Sequence, residues 1–434
     1  MPDPSPATTP ELLTRADTSL FHHAGPFSDL LVERASGCVV VGRDGTEYLD
    51  FTSGQLCATF GHNRSELRDA IMDSFDRAVH SSSHLLSEEV IVLAEQLAAL
   101  FPDPLAKVTL LTTGSEATEV GLKAARMARG SWETIGVNRS YHGHTAGAAA
   151  VTFLPRRRGS GPAQPGVHAI PAPYCFRCPL GASYPSCGFS CVDVGLAAVD
   201  AQRTSEVAAL IIEPILSTGG LIEPPDGYFV RLRQECDERG IALVLDEAQT
   251  GLGRTGDMFA FEAHGIVPDV VALSKSLGGG FPLAAVVLTD EIAAGAEEQG
   301  FRFLTSHMNE PSMALIGLAM VSLAVHHVAI GTARTQGERL RSGLAHLVDE
   351  FEVAGDVRGR GLLLGLEFVT DAESLQPAPE VARRLEQVCR HRGLLVQTVS
   401  ENVWRIAPPI TVSDAEIDQA LAVMAEALET VRPG

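Results

Sequence analysis

From about Val108 onward, short apolar runs alternate with longer stretches in which apolar residues recur three and four positions apart. The runs fit strands buried on both faces, and the spaced stretches fit helices with one buried face. On this pattern Val108–Thr112, Glu133–Val137, Ala208–Ile212, Ala242–Leu245 and Val270–Leu273 are expected strands, with helices such as Ser115–Arg129 and Tyr228–Arg239 between them. Alternation of this kind makes βαβ units, so the expected centre is one doubly wound, mostly parallel sheet in an α/β fold. Cys38–Val41 and Glu47–Phe51 read as short strands that precede the rhythm. After about Asn309 the pattern changes to two long helices, Pro311–His327 and Thr332–Glu350, then strands at Leu362–Phe368 and Leu394–Gln397 and a closing helix from Ser413. The expected division is a large domain over 60–315 and a smaller α+β domain over 316–434, which the N-terminal segment 1–59 joins.

Composition narrows the class. A chain of 434 residues with 45% hydrophobic and 20% charged residues has the make-up of a globular enzyme longer than one ordinary domain. Its 33 Lys and Arg against 54 Asp and Glu leave a net charge of −21, which argues against nucleic acid or an anionic membrane as the main partner. With neither a secretory signal nor a long uninterrupted apolar run, the expected location is cytoplasmic. Residues 1–10, rich in Pro, Ser and Thr, read as a loose arm, and Arg156–Arg158 as a solvated basic patch. The oddity lies in Cys175-x2-Cys178-x8-Cys187-x3-Cys191. Two close pairs of this kind could hold a structural zinc or an iron–sulfur cluster, remain reduced thiols, or pair as disulfides.

Three stretches carry candidate chemistry. Ala242–Gln249 is a buried strand ending in Asp246, and in open α/β sheets ligands sit beyond the carboxyl ends of the strands. A carboxylate there suits a cationic ring nitrogen, as in the binding of pyridoxal phosphate (PLP), though a strand-end Asp also caps loops. Asp269–Gly280 ends in Lys275 before a glycine run. A lysine in a low-dielectric crevice favours the neutral amine that Schiff-base chemistry needs, whereas an ordinary strand-end lysine is solvated. Leu111–Ala117 runs from strand through Thr113, Gly114 and Ser115 into a helix, whose first turn binds phosphate or is merely capped at Ser115.

In this order the stretches resemble the class III aminotransferases, PLP enzymes of fold type I, the aspartate-aminotransferase fold; Asp246–Gly256 (DEAQTGLGRTG) with Lys275 carries the likeness. The resemblance implies Lys275 as the catalytic lysine that binds the cofactor, Asp246 on the pyridine nitrogen and Gln249 on the phenolic oxygen. Thr113, Gly114 and Ser115 would hold the phosphate, with Tyr141 and His142 beside the ring. Ser306 would reach the phosphate of a neighbouring subunit, which implies an obligate homodimer, or a tetramer built from it. Within the family, Glu213–Gly220 lacks the acid that usually neutralises a carboxylate-binding arginine, so Arg405 in Trp404–Pro409 is expected to meet a substrate carboxylate, with Thr218 close by. These departures, with Asp50–Gln55 and Val357–Gly365, are similar to the 2,2-dialkylglycine decarboxylases, in which Gln55 would contact the departing carboxylate. Tyr141 departs from that pattern, where a tryptophan is usual. The resemblance thus implies a decarboxylating transaminase that passes an amino group from an amino donor to a keto acid; plain transamination and β-elimination are the alternatives. Glu213 is expected to position Tyr141, and Arg254 and Arg358 to brace their glycine-rich loops.

Overall fold

The computed structural model describes residues 7–23, 25–154, 164–326 and 329–432; the basic run Arg156–Arg158 and the start of the N-terminal arm lie outside them. Seven strands form the central sheet in the order Leu105–Leu111, Ala284–Thr289, Val270–Leu273, Ala242–Asp246, Val207–Ile212, Glu133–Val137, Val167–Ile170. Ala284–Thr289 runs antiparallel to both neighbours, and the remaining pairs are parallel. Each fully buried Val or Leu of such a strand contributes about 1.5–3 kcal/mol, which lets the run Ala242–Leu245 hold a carboxylate at its end away from bulk water.

Helix Gly114–Arg129 crosses the sheet on Ala117, Val120, Ala124 and Ala125, all buried at helical spacing. It begins earlier than the expected Ser115 cap. The Oγ1 of Thr113 accepts the Glu116 N–H at 3.3 Å, and the Glu116 carboxylate accepts the Thr113 N–H at 3.1 Å, a reciprocal box.

Two four-stranded sheets flank the centre. One joins Val32–Ser36, Val39–Gly42 and Glu47–Asp50 to Leu394–Leu395, which pairs in parallel with Leu49 and Asp50. The other runs Ala354–Arg360, Leu363–Phe368, Val403–Ile406, Gln397–Val399. The single strand expected over Leu394–Gln397 is therefore two, divided at Val396 and given to different sheets. Strands Val167–Ile170, Ala284–Thr289 and Ala354–Arg360 were not among those the pattern predicted. Among the described residues, no single helix is long and apolar enough to cross a membrane.

Candidate active site

Strands Ala242–Asp246 and Val270–Leu273 lie side by side in parallel, with Asp246 opposite Ala272. Their carboxyl ends deliver Asp246 and Lys275 to one edge of the sheet, where both line a cavity of about 380 Å³. Adjacent residues take opposite roles. Asp246 faces the cavity, whereas Glu247 turns into the core, where its Oε1 accepts the Phe261 N–H at 3.0 Å. Lys275 sits deep in the protein yet keeps part of its surface open to the cavity. Burial holds its ammonium below the ordinary lysine value, while Asp246 and Cys57 pull the other way. Its φ of 44° is left-handed, a conformation that costs a non-glycine residue about 1–3 kcal/mol and persists only where the surroundings impose it.

Asp246 is fixed from two sides: His142 Nδ1 lies 2.8 Å from its Oδ2, and the Ala248 N–H donates to its Oδ1 at 3.0 Å. His142 is buried, its backbone N–H donates to Thr152 Oγ1 and its carbonyl accepts from Thr118 Oγ1. His142 also lines the cavity, where its imidazole backs Asp246. Its Nε2 is buried without a hydrogen-bond partner among the described residues. The backbone N–H of Tyr141 donates to Glu213 Oε1 at 2.9 Å, which places the tyrosine on the cavity wall as expected. Glu213 is fully enclosed, and burial first and Asp246 second push its carboxyl up to about 8.

The opposite wall is the start of helix Gly114–Arg129. Thr113, Gly114 and Ser115 all line the cavity, where the first-turn N–H groups lack helical partners and the dipole favours an anion. The Thr113 hydroxyl oxygen accepts the Glu116 N–H in the cap, and its own O–H is a donor that this bond does not use. Gly143 packs so close to this turn that a Cβ there would lie 3.0 Å from Ser115 Cα, which leaves room for no side chain. Cys57, Ser274 and Pro282 also line the cavity, though the sequence singled out none of them. Cys57 lies two positions beyond the expected Gln55, and Ser274 immediately precedes Lys275.

Beside the cavity, Gln249 links two of the expected substrate residues. Its Nε2 donates to Thr218 Oγ1 at 3.2 Å and its Oε1 accepts from Arg405 Nη1 at 3.0 Å, while Arg405 Nη2 bonds Gln397 Oε1. Gln249 itself lines the cavity; Thr218 and Arg405 stand behind it. Gln55 departs from expectation. Asp50, whose carboxylate holds His62 and the N–H groups of Thr52 and Gly54, anchors a turn in which Gly54 and Gln55 are left-handed, with φ of 51° and 62°. That turn leaves Gln55 exposed and outside the cavity lining, while Cys57 takes the wall. Ser306 is likewise exposed and outside it.

The four clustered cysteines are free thiols around a separate cavity of about 20 Å³. Among the described residues, the trio of metal-type ligand atoms gathered within 4.8 Å is His80, His307 and Glu310, not these sulfurs. The expected zinc or iron–sulfur site is thus not preformed at bonding distance.

The family model for aminotransferase class III matches residues 21–428. The chain belongs to the class III aminotransferases. It is 40% identical over 95% of its length to an uncharacterized aminotransferase of Schizosaccharomyces pombe, with 94% of that protein covered. It is 33% identical to a leucine/methionine racemase of Thermococcus litoralis, covering 94% of this chain and 92% of that one. An amine transaminase from an uncultivated Pseudomonas species, solved in its PLP-bound form, superposes with a TM-score of 0.91 at 28% identity over 95% of this chain and 98% of its own. The protein is a PLP-dependent aminotransferase of fold type I.

Proposed function

We propose that this aminotransferase moves an amino group from an amino donor to a keto acid without loss of carbon dioxide, with Lys275 as the cofactor lysine and the proton carrier. The observation that carries the reading is the placement of Lys275, Asp246 and the helix start at Gly114 on one cavity. PLP fits this set by chemistry. The ring nitrogen would meet Asp246, the phosphate the N–H groups of Gly114 and Ser115, and the ring face Tyr141. When bound, PLP supplies the electron sink, so the protein's work is to orient the substrate and to move a proton at Lys275 Nζ. His142 holds the Asp246 carboxylate in place, and Gln249, whose amide nitrogen has one N–H beyond the Thr218 bond, would be the residue to meet the phenolic oxygen.

Plain transfer takes precedence over the decarboxylating reading because Gln55, the residue that would contact a departing carboxylate, lies outside the cavity wall. Arg405 stands behind Gln249, bonded to it and to Gln397, so a substrate carboxylate would meet it by taking the place of the Gln249 amide, which Thr218 supports. Ser306, exposed on its own subunit, suits the phosphate of a second copy, so we propose a homodimer as the working unit.

A panel of amino donors with several keto acids, scored in parallel for amino product, carbon dioxide and change of stereochemistry, tests the reading. Amino transfer with no carbon dioxide supports it. Carbon dioxide in step with amino product restores decarboxylation, and inversion of the donor without any amino transfer marks a racemase.

A further inference from the structure

We propose that Cys175, Cys178, Cys187 and Cys191 form a structural thiolate site for a divalent ion of the zinc class, separate from the cofactor cavity. Residues 171–189, between strand Val167–Ile170 and helix Ser190–Gln202, contain only the single 3-10 turn Cys175–Arg177. A connection longer than about 12–15 residues with so little regular structure is uncommon in a folded domain without something to hold it. Four of the chain's eight cysteines meet there on one small cavity.

Local turns hold the chain on either side of that cavity. The Gly181 N–H closes a turn on the Cys178 carbonyl at 3.1 Å, and the Cys187 N–H bonds the Ser183 carbonyl at 2.9 Å. Cys191 enters the first turn of helix Ser190–Gln202. The other walls include Ala172, Pro173, Phe189 and Pro225 with the hydroxyl-bearing Tyr174, Tyr184 and Ser190, and no histidine or carboxylate lines the space among the described residues. An all-sulfur donor set selects zinc-class ions over magnesium or calcium, and four thiolates make the closed, structural kind of site. Zinc–sulfur bonds of about 2.3 Å set the sulfurs roughly 3.8 Å apart, whereas no three of them now lie within 4.8 Å of one another, so binding would contract the loop.

The loop's next contacts give that contraction a consequence. Tyr174, on the same cavity wall, donates from its hydroxyl to Glu367, and Arg177 bonds the same carboxylate, which is fully buried on strand Leu363–Phe368. Arg358 Nη2 donates to the Tyr174 hydroxyl at 2.9 Å, and its Nε donates to the Gly220 carbonyl at 2.9 Å. Gly220 lies two residues past Thr218, the partner of Gln249. The ion would fix a loop that braces the wall behind the active site.

The test uses the full-length chain purified under reducing conditions without chelator. Elemental analysis is expected to find about one zinc per chain, and cobalt(II) added to chelator-stripped protein to give the intense near-ultraviolet thiolate bands and the visible bands of a tetrahedral site. Cys178→Ser and Cys187→Ser should each lower zinc retention at least tenfold. Should those variants fail to fold, the cobalt spectrum of the wild type decides alone. Zinc-free protein whose loop thiols all titrate and which gives no cobalt bands overturns the proposal. So do disulfides among these cysteines, or zinc retained undiminished in both Cys178→Ser and Cys187→Ser.

Discussion

Two deeply enclosed cations stand at the same end of the central sheet, and their surroundings differ in kind. Arg254 is fully buried, and its guanidinium is spent on the Leu362 and Pro408 carbonyls and the hydroxyls of Ser53 and Thr59. Lys275 faces a cavity and a carboxylate, in a strained backbone conformation, with no hydrogen bond of its amine among the described residues. Burial lowers both, Arg254 to about 10. A cation whose terminal nitrogens are all engaged by fixed acceptors, as those of Arg254 are while its Nε stays unpaired among the described residues, is a strut; one left facing space beside an acid is kept for chemistry.

That contrast breaks first at Lys275. Lys275→Ala should abolish the cofactor's visible absorbance band and reduce amino transfer by at least the roughly hundredfold to ten-thousandfold usual for a lost proton-transfer group. Its urea midpoint should stay at or above that of the wild type, because the substitution removes a desolvated amine. Retained turnover would refute the assignment. Arg254→Met should do the reverse: each orphaned carbonyl costs roughly 1–3 kcal/mol, so the urea midpoint falls steeply while residual folded protein keeps its absorbance band. A stable Arg254→Met enzyme that has lost activity alone would erase the distinction.

The same contrast shows what the sequence could and could not convey. Asp246 and Lys275 were legible because each ends a short apolar run, and side chains at the ends of parallel strands share an edge by construction. Arg254 was legible only as a brace, since its acceptors come from positions 53, 59, 362 and 408, far apart in the chain. Gln55 was misplaced for a related reason. The turn that sends it outward is held by Asp50, which accepts the nearby Thr52 and Gly54 N–H groups and is itself fixed by His62, twelve positions away, a contact that no local pattern encodes. Leu394–Gln397 looked like one strand because its apolar residues are continuous, yet the parallel pairing with Leu49 ends at Leu395 and the next strand answers to Val403–Ile406. His142 was expected beside the ring and lines the cavity; its bond to Asp246 joins a loop to a strand end 104 positions away, which no local pattern encodes.

Glu213 sharpens the comparison from the acidic side. Its carboxyl is raised to about 8, so the folded state keeps the proton that the unfolded chain releases near the ordinary glutamate value. Stability from this group is complete below the unfolded value and is lost as pH rises through about 8. Thermal melts from pH 5 to 9 should show wild-type stability declining towards the alkaline end, with Glu213→Gln flattening the decline. The amide retains an oxygen for the Tyr141 N–H, so a slope that Glu213→Gln leaves unchanged would assign the pH dependence to another group.

The smallest effect is expected at Thr113, where capping and cofactor contact can be separated. Because its hydroxyl accepts the Glu116 N–H, Thr113→Ala should cost about 1 kcal/mol of stability, the usual value of a lost N-cap. Thr113→Ser should restore it. Phosphate held by the N–H groups of Gly114 and Ser115 does not draw on that hydroxyl, so PLP affinity measured well below the melting temperature should be nearly equal in the two variants. A loss of PLP affinity in Thr113→Ala much greater than its loss of stability would show that the hydroxyl serves the anion directly. Thr113 would then move from the side of the struts, where Arg254 stands, to the side of Lys275.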